Sequence, residues 1–319
     1  MHQTLQKMNL EKIKNSIDGI LLLNKTQGMS SNAALQKAKR LFGAQKAGHS
    51  GSLDPLATGM LPVCFGEATK VCQYLLAADK CYETTGLLGI KTNTADATGE
   101  VTSTVENYTI SKEQLVASLE PFKGNIKQVP SMFSALKHQG TPLYKLARRG
   151  IEIEREARDL LISTLQLDMF DGQYFSLTVV CSKGTYIRNL VEDIGDSLNV
   201  GAHVTRLHRL YTSGFDNARM YTLDELQEMT VEQRTDCLIP MDEAIKNLSS
   251  IILLDEEVLV IRQGRLINGK TTKDSTNCIR LYNERRQFIG LGEKQINGEL
   301  KAKRLLAFIS TTKNIESIV

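Results

Sequence analysis

The sequence predicts an α+β protein with a mixed, mainly antiparallel sheet, followed by a small β-rich module. Three observations carry this prediction. A regular βαβα alternation, the mark of a doubly wound parallel sheet, is missing. Two strand-like segments, Leu160 to Met169 and Tyr174 to Cys181, are joined by the turn signal Asp171-Gly172, as in an antiparallel hairpin. Past residue 250 the pattern turns to short strands split by Asn-Gly and similar turns.

Taken in order, Gly19 to Asn24 is an apolar run suited to a buried strand. Ser30 and Ser31 are N-cap candidates for a helix reaching Phe42, with Ala34, Leu35, Ala38 and Leu41 on its apolar side and Gly43 as its stop. Lys37, Lys39 and Arg40 fall on the polar side, which reads more simply as a solvated face than as a phosphate contact. Residues 47–59, AGHSGSLDPLATG, offer little to build a helix or strand. Gly66 to Ala77 reads as a helix, Tyr82 to Ile90 as a strand, and TNTADATG from Thr92 as a polar loop. Ser111 to Leu119 has a clear Ser cap, and Pro142 and Gly150 bound a short helix, PLYKLARR. In the second hairpin strand Tyr174, Ser176, Thr178 and Val180 alternate with Phe175, Leu177, Val179 and Cys181. Tyr186 to Leu198 returns to helix. Beyond a connecting segment near Leu238 to Ile251, strands are expected at Val258–Arg262, Cys278–Asn283, Gln287–Gly292 and Leu305–Ser310. Leu5 to Ile17 suits a short amphipathic helix or a loose segment.

Composition narrows the function. The 319-residue chain is 41% hydrophobic and 24% charged, an ordinary balance for a folded soluble protein. Its apolar runs are too short to cross a bilayer, and MHQTLQKMNLEKIKNS carries charges where a signal peptide needs apolar residues. A cytoplasmic location and no membrane association are expected. Six scattered cysteines without a C-x-x-C pair point to free thiols, and the histidines offer no metal-ligand spacing. No metal is therefore expected. The formal charge of +3 is compatible with nucleic acid without indicating it.

The phosphate-loop, dinucleotide-binding and serine-hydrolase motifs are absent. No G-x-x-x-x-G-K-[ST] phosphate loop or dinucleotide G-x-G-x-x-G occurs, and Gly48-His49-Ser50-Gly51 falls one residue short of a serine-hydrolase elbow. The remaining reagent in the 47–59 loop is Asp54, with His49 five residues before it. An Asp before Pro is also an ordinary turn opener.

Longer blocks decide between these readings. GHSGSLDPLATGMLPVCFGEATK from Gly48 resembles the catalytic motif of TruB-type tRNA pseudouridine synthases, where G-H-[ST]-G-x-L-D-P surrounds an essential aspartate. The resemblance continues, in order, through KCYETTGLLG at Lys80, PSMFSALKHQGTPLYKLARRGIEIEREAR at Pro130, CSKGTYIRNL at Cys181 and GAHVTRLHRL at Gly201. RQGRLINGK and LGEKQINGELKAKRLL resemble the PUA domain that ends bacterial members.

The resemblance implies a pseudouridine synthase catalytic fold over residues 19–245, a PUA-like RNA-binding domain over 250–312, and an N-terminal extension over 1–18. It implies isomerisation of uridine 55 in the T-arm loop of tRNA by base flipping, with no cofactor, no obligatory protein partner and a monomeric chain. Asp54 takes the role of the catalytic aspartate, acting at C1′ or C6 or as a base at the 2′ position. Tyr82 matches the tyrosine that stacks on the flipped uracil. Arg188 matches the arginine that keeps the aspartate ionised and oriented. Tyr186 and Leu207 match residues lining the uracil pocket, and His49 matches a histidine that engages the flipped RNA.

RNA binding has a separate motive in the residues. Lys137, Lys145, Arg148 and Arg149 form a positive cluster beside Tyr144, suited to phosphate contacts that offset the cost of extruding a base. Two positions depart from the family pattern: Thr26 stands where many relatives have Pro, and Cys81 replaces a common basic residue; Ser50, in place of the usual Thr, keeps the hydroxyl. Two other readings compete: a tRNA-folding chaperone, and a guide-RNA-dependent member of the same superfamily. The latter fits less well, because the chain has no added basic tail.

Overall fold

The computed structural model describes residues 17–270 and 277–307. Leu5 to Ile17, read as a short amphipathic helix or a loose segment, lies almost entirely outside the described residues.

Eight strands form the main sheet: β1 Gly19–Lys25, β2 Ala47–His49, β3 Thr58–Phe65, β4 Lys80–Leu88, β5 Gly124–Gln128, β6 Arg158–Phe170, β7 Tyr174–Cys181 and β8 Ala202–Thr212. Their order is β1-β3-β8-β4-β7-β6-β5, with β2 added beside β3. Every pairing is antiparallel except β8 with β3, where His208 and Arg209 lie parallel to Thr58 and Gly59. The sheet is mixed and mainly antiparallel, as the sequence predicts.

Strands β1 and β3 are covered on both faces, and period-2 alternation divides their side chains between two cores. Leu21, Leu23, Leu61, Val63 and Phe65 enter the larger core. Ile20, Leu22, Met60 and Cys64 enter the second. Helix Ser31–Leu41 covers the first face with Ala34, Leu35 and Ala38 and starts at Ser30, whose hydroxyl accepts from the Ala33 amide at 3.2 Å. Helix Ile187–Ser197 adds Ile187, Leu190, Val191 and Ile194 to the same core.

A second sheet of four strands, β9 Ser250–Leu253, β10 Cys278–Asn283, β11 Phe288–Lys294 and β12 Leu300–Leu305, makes the C-terminal β-rich part. It does not hang from a linker. Phe288, Leu291 and Leu306 share the second core with Ile20 and Leu22. Lys70 Nζ donates to the Leu305 carbonyl at 2.9 Å, and Tyr74 Oη lies 3.0 Å from Cys278 Sγ.

Several expectations are corrected. Residues 47–59 contain strand β2 and open into β3, and GAHVTRLHRL supplies β8, neither marked as strand. Gly59 and Pro62 disguise β3; Pro62 falls between Gly59, which pairs with β8, and Val63, which pairs with β2. Gly66–Ala77 is broken, with a 3₁₀ turn over Gly66–Lys70 before helix Cys72–Ala77. The strand expected at Val258–Arg262 is the end of helix Asp255–Arg262: Asp255, Glu256 and Glu257 occupy its positive N-terminal turn and Arg262 its last, and this outweighs the β-branched run. The last strand is Leu300–Leu305, and positions 308–310 of the expected one lie outside the described residues.

The parallel β3–β8 contact depends on one glycine. Gly59 has φ +95°, and a Cβ there would meet the Arg209 carbonyl oxygen at 2.2 Å. Gly59→Ala is expected to cost about 2 to 5 kcal/mol, the sum of left-handed strain and overpacking. Urea unfolding measures this; an unchanged midpoint contradicts the close approach.

Candidate active site

The Asp54 loop is polar, yet it is held from several sides. Ser31 Oγ donates to the Leu53 carbonyl at 2.9 Å and accepts from the Leu53 amide at 2.7 Å. The Gly28 amide donates to the Pro55 carbonyl at 2.8 Å, and the Ala57 amide closes a turn on the Asp54 carbonyl at 3.1 Å. Leu53, Leu56 and Ala57 are buried in the larger core. With its neighbours anchored inward, the Asp54 side chain projects into a cleft of about 530 Å³ and is 40% exposed.

Arg188, in the first turn of helix Ile187–Ser197, meets it there. Its Nε lies 2.8 Å from Asp54 Oδ2, and its side chain is only 5% exposed. The other guanidinium nitrogens are also engaged: Nη1 donates to the Thr94 carbonyl at 2.7 Å and Nη2 to the Phe133 carbonyl at 2.9 Å. A second carboxylate, Asp96, stands 3.6 Å from Nη1. Its Oδ1 accepts from Thr94 Oγ1, the Thr98 amide and Thr98 Oγ1 at 2.9, 2.9 and 2.6 Å. The result is a buried guanidinium fixed in plane and presenting one edge to Asp54.

Asp96 was invisible in the sequence, where TNTADATG reads as a loop. Its position comes from strand β8, because the Val204 amide donates to the Ala95 carbonyl at 3.0 Å and the Ala97 amide to the Val204 carbonyl at 2.8 Å. Lys25 was also unassigned. It is buried, donates to the Thr26 and Met29 carbonyls, and its pKa is lowered to about 8 by burial, with Asp54 opposing.

Asp54, Arg188 and His49 line the cleft together. His49 ends β2; its Nδ1 is buried and has no hydrogen-bond partner among the described residues. Burial, reinforced by the Arg209 charge, lowers its pKa and favours the neutral ring. Tyr82, Tyr186 and Leu207 lie outside the set of cleft-lining residues. Tyr82, on β4, has its hydroxyl 3.4 Å from Nη1 of buried Arg209, which also donates to the Met60 and Gly51 carbonyls at 2.6 and 3.0 Å. Burial pushes the Tyr82 phenol up, Arg209 pulls it down, and Asp54 adds a smaller upward push. Tyr186 is clamped through its backbone by Gln128, at 2.8 and 3.1 Å, and also feels the Asp54 charge. Leu207 is buried on β8 in the larger core. Of the basic cluster expected near Tyr144, only Arg148 lines the cleft, with its guanidinium carbon 5.6 Å from the Tyr144 ring centre.

The Asp54 loop thus presents a carboxylate to a buried arginine beside a mixed sheet. A model described as TruB family pseudouridylate synthase (N terminal domain) matches residues 39–187. Residues 188–246 match the tRNA pseudouridylate synthase B C-terminal domain, and 249–306 match the model pseudouridine synthase II TruB, C-terminal. The protein of Legionella pneumophila (strain Corby) named tRNA pseudouridine synthase B is 69% identical over 293 residues, covering 92% of this chain and 97% of the relative. One of the same name from Aeromonas salmonicida (strain A449) is 47% identical, covering 92% and 94%. In fold, a chain of a solved Cbf5–Nop10–Gar1 complex matches with TM-score 0.69 at 23% identity, covering 91% of this chain and 85% of that one. The chain belongs to the TruB family of pseudouridylate synthases.

The charge balance at Asp54 is testable. Burial raises its pKa above the ordinary 3.8; Arg188 opposes this, and Asp96 adds to the rise. Removing the cation in Arg188→Gln withdraws stabilisation from the carboxylate, so its pKa climbs further. Carboxyl ¹³C NMR is expected to show Asp54 titrating above 3.8 in the wild type and higher still in the variant. An Asp54 midpoint that falls in Arg188→Gln contradicts the pairing.

Proposed function

We propose that this chain isomerises uridine 55 in the T-arm loop of tRNA to pseudouridine, with Asp54 as the essential catalytic group. The single observation that supports this most directly is the 2.8 Å Asp54–Arg188 contact in a cleft whose loop is tied down on both sides of the acid. The tRNA substrate follows from the names of the relatives.

The reaction breaks the N1–C1′ bond, turns the uracil, joins C5 to C1′, and moves a proton from C5 to N1. It needs a carboxylate at the reacting nucleotide and a site from which water and the rest of the helix are held away. The base must first leave the folded T-arm, at a cost of a few kcal/mol. In this reading Tyr82 stacks on the extruded uracil, Tyr186 and Leu207 bound its pocket, and His49, on the cleft wall, contacts the flipped strand. Arg148 and Tyr144, already stacked on the rim, meet the backbone. Arg188 orients the carboxylate, and its three other protein contacts keep it from collapsing away when Asp54 turns to substrate.

The catalytic part spans 19–245 and a PUA-like RNA-binding domain 250–312; the enzyme acts in the cytoplasm as a monomer without an obligatory protein partner or cofactor. Asp54→Asn keeps size and removes the charge. Pseudouridine mapping in tRNA is expected to show modification slowed by roughly 10³-fold or more, with tRNA binding retained. T-loop modification at the wild-type rate contradicts the assignment.

A further inference from the structure

The structure holds a second, half-open groove of about 480 Å³ that the site above leaves unused. It lies between helix Ser31–Leu41, the two short helices Leu223–Glu228 and Val231–Asp236, and the turn after β1. Lys37 and Arg40, one helical turn apart, face it together with Arg234, and Asp224 is the one carboxylate on its wall. Among the described residues none of these three cations lies within ion-pair distance of a carboxylate. Arg234 is fixed through backbone carbonyls instead: its Nε and Nη2 donate to Met229 at 3.1 and 2.9 Å, and Nη1 donates to Leu41. Three cations against one carboxylate leave the groove an excess of two positive charges; Arg234 is held rigidly, and Lys37 and Arg40 are exposed. Thr26 adds a hydroxyl to the same wall.

Its position says what fills it. Thr26 and Met29 line the groove, while Ser30, Ser31 and Asn32 line the Asp54 cleft. One peptide bond, Met29–Ser30, separates the two walls, and the Gly28 amide ties this turn to Pro55 at 2.8 Å. A strand that delivers a base to Asp54 must cross the cleft rim, and the Met29–Ser30 step sets this groove beside the cleft along the chain. We propose that Lys37, Arg40 and Arg234 form a backbone-phosphate site for the substrate RNA, continuous with the Asp54 cleft and with Thr26 as an added hydrogen-bond donor. The proposal rests on the RNA-modifying reading above. It also reverses the simpler reading of Lys37 and Arg40 as a solvated helix face, because the groove joins them to a third cation on another element.

Phosphate contacts release counterions, so their number appears in the salt dependence of binding. The experiment measures Kd for full-length tRNA across a salt series, with the single-turnover rate at saturating enzyme. It compares the wild type, Lys37→Ala/Arg40→Ala, and Lys112→Ala/Lys123→Ala, whose exposed lysines lie on a remote helix and its trailing turn. In the groove variant the slope of log K against log salt is expected to fall by about 1.4 to 1.8, at roughly 0.7 to 0.9 per phosphate contact. Affinity is expected to weaken roughly tenfold, two contacts of surface strength, with the saturated rate unchanged. An unchanged slope overturns the proposal, as does an equal fall in the remote variant, which would report net charge alone. An acidic protein as the true occupant would show as the unchanged slope. Failure of the functional reading looks different: wild-type protein would then bind tRNA without modifying its T-loop, or not bind it at all.

Discussion

The site depends on one buried cation. Arg188 is nearly inaccessible, and four groups from three parts of the chain converge on it: Asp54, the Phe133 carbonyl, and the Thr94 carbonyl with Asp96 from one turn. Burying a guanidinium is costly unless every donor finds a partner, so these segments are coupled. Displacing any one of them leaves a donor or a charge unpaired. Asp54, although partly in water, thus inherits its geometry from a contact that the fold cannot cheaply give up.

A second buried cation organises the neighbouring strands. Arg209 donates to Met60 on β3 and to Gly51 in the loop before Asp54, and reaches the Tyr82 hydroxyl on β4. Its own backbone is the surface against which Gly59 packs. Strand β8 therefore carries, within three residues, both Leu207 and the arginine that bridges the loop before Asp54 and the Tyr82 hydroxyl. The one parallel pairing of this sheet, β3 with β8, brings these two strands side by side.

How legible this was differs from element to element. Ser30 capping, the hairpin of β6 and β7, and the Ser111 cap follow local rules, and the structure repeats them. Asp54 and Arg188 could be paired from the family resemblance, since no local rule connects residues more than a hundred positions apart. Strand β3 was hidden because Gly59 and Pro62 answer to neighbours distant in sequence. Asp96 was hidden because a buried carboxylate in a threonine-rich turn has the composition of an exposed loop. Helix Asp255–Arg262 was misread because its β-branched residues were weighed without the three acids before them. The expectation that Arg188 governs the Asp54 charge was incomplete, since burial of the acid outweighs it.

The central claim is that Asp54 and Arg188 act as one unit, and a double-mutant cycle on the single-turnover rate tests it most directly. Asp54→Asn, Arg188→Gln and the double variant are predicted to be slowed to about the same extent, because either change already dismantles the pair. If the two single effects multiply in the double variant, the residues contribute independently and the account is wrong.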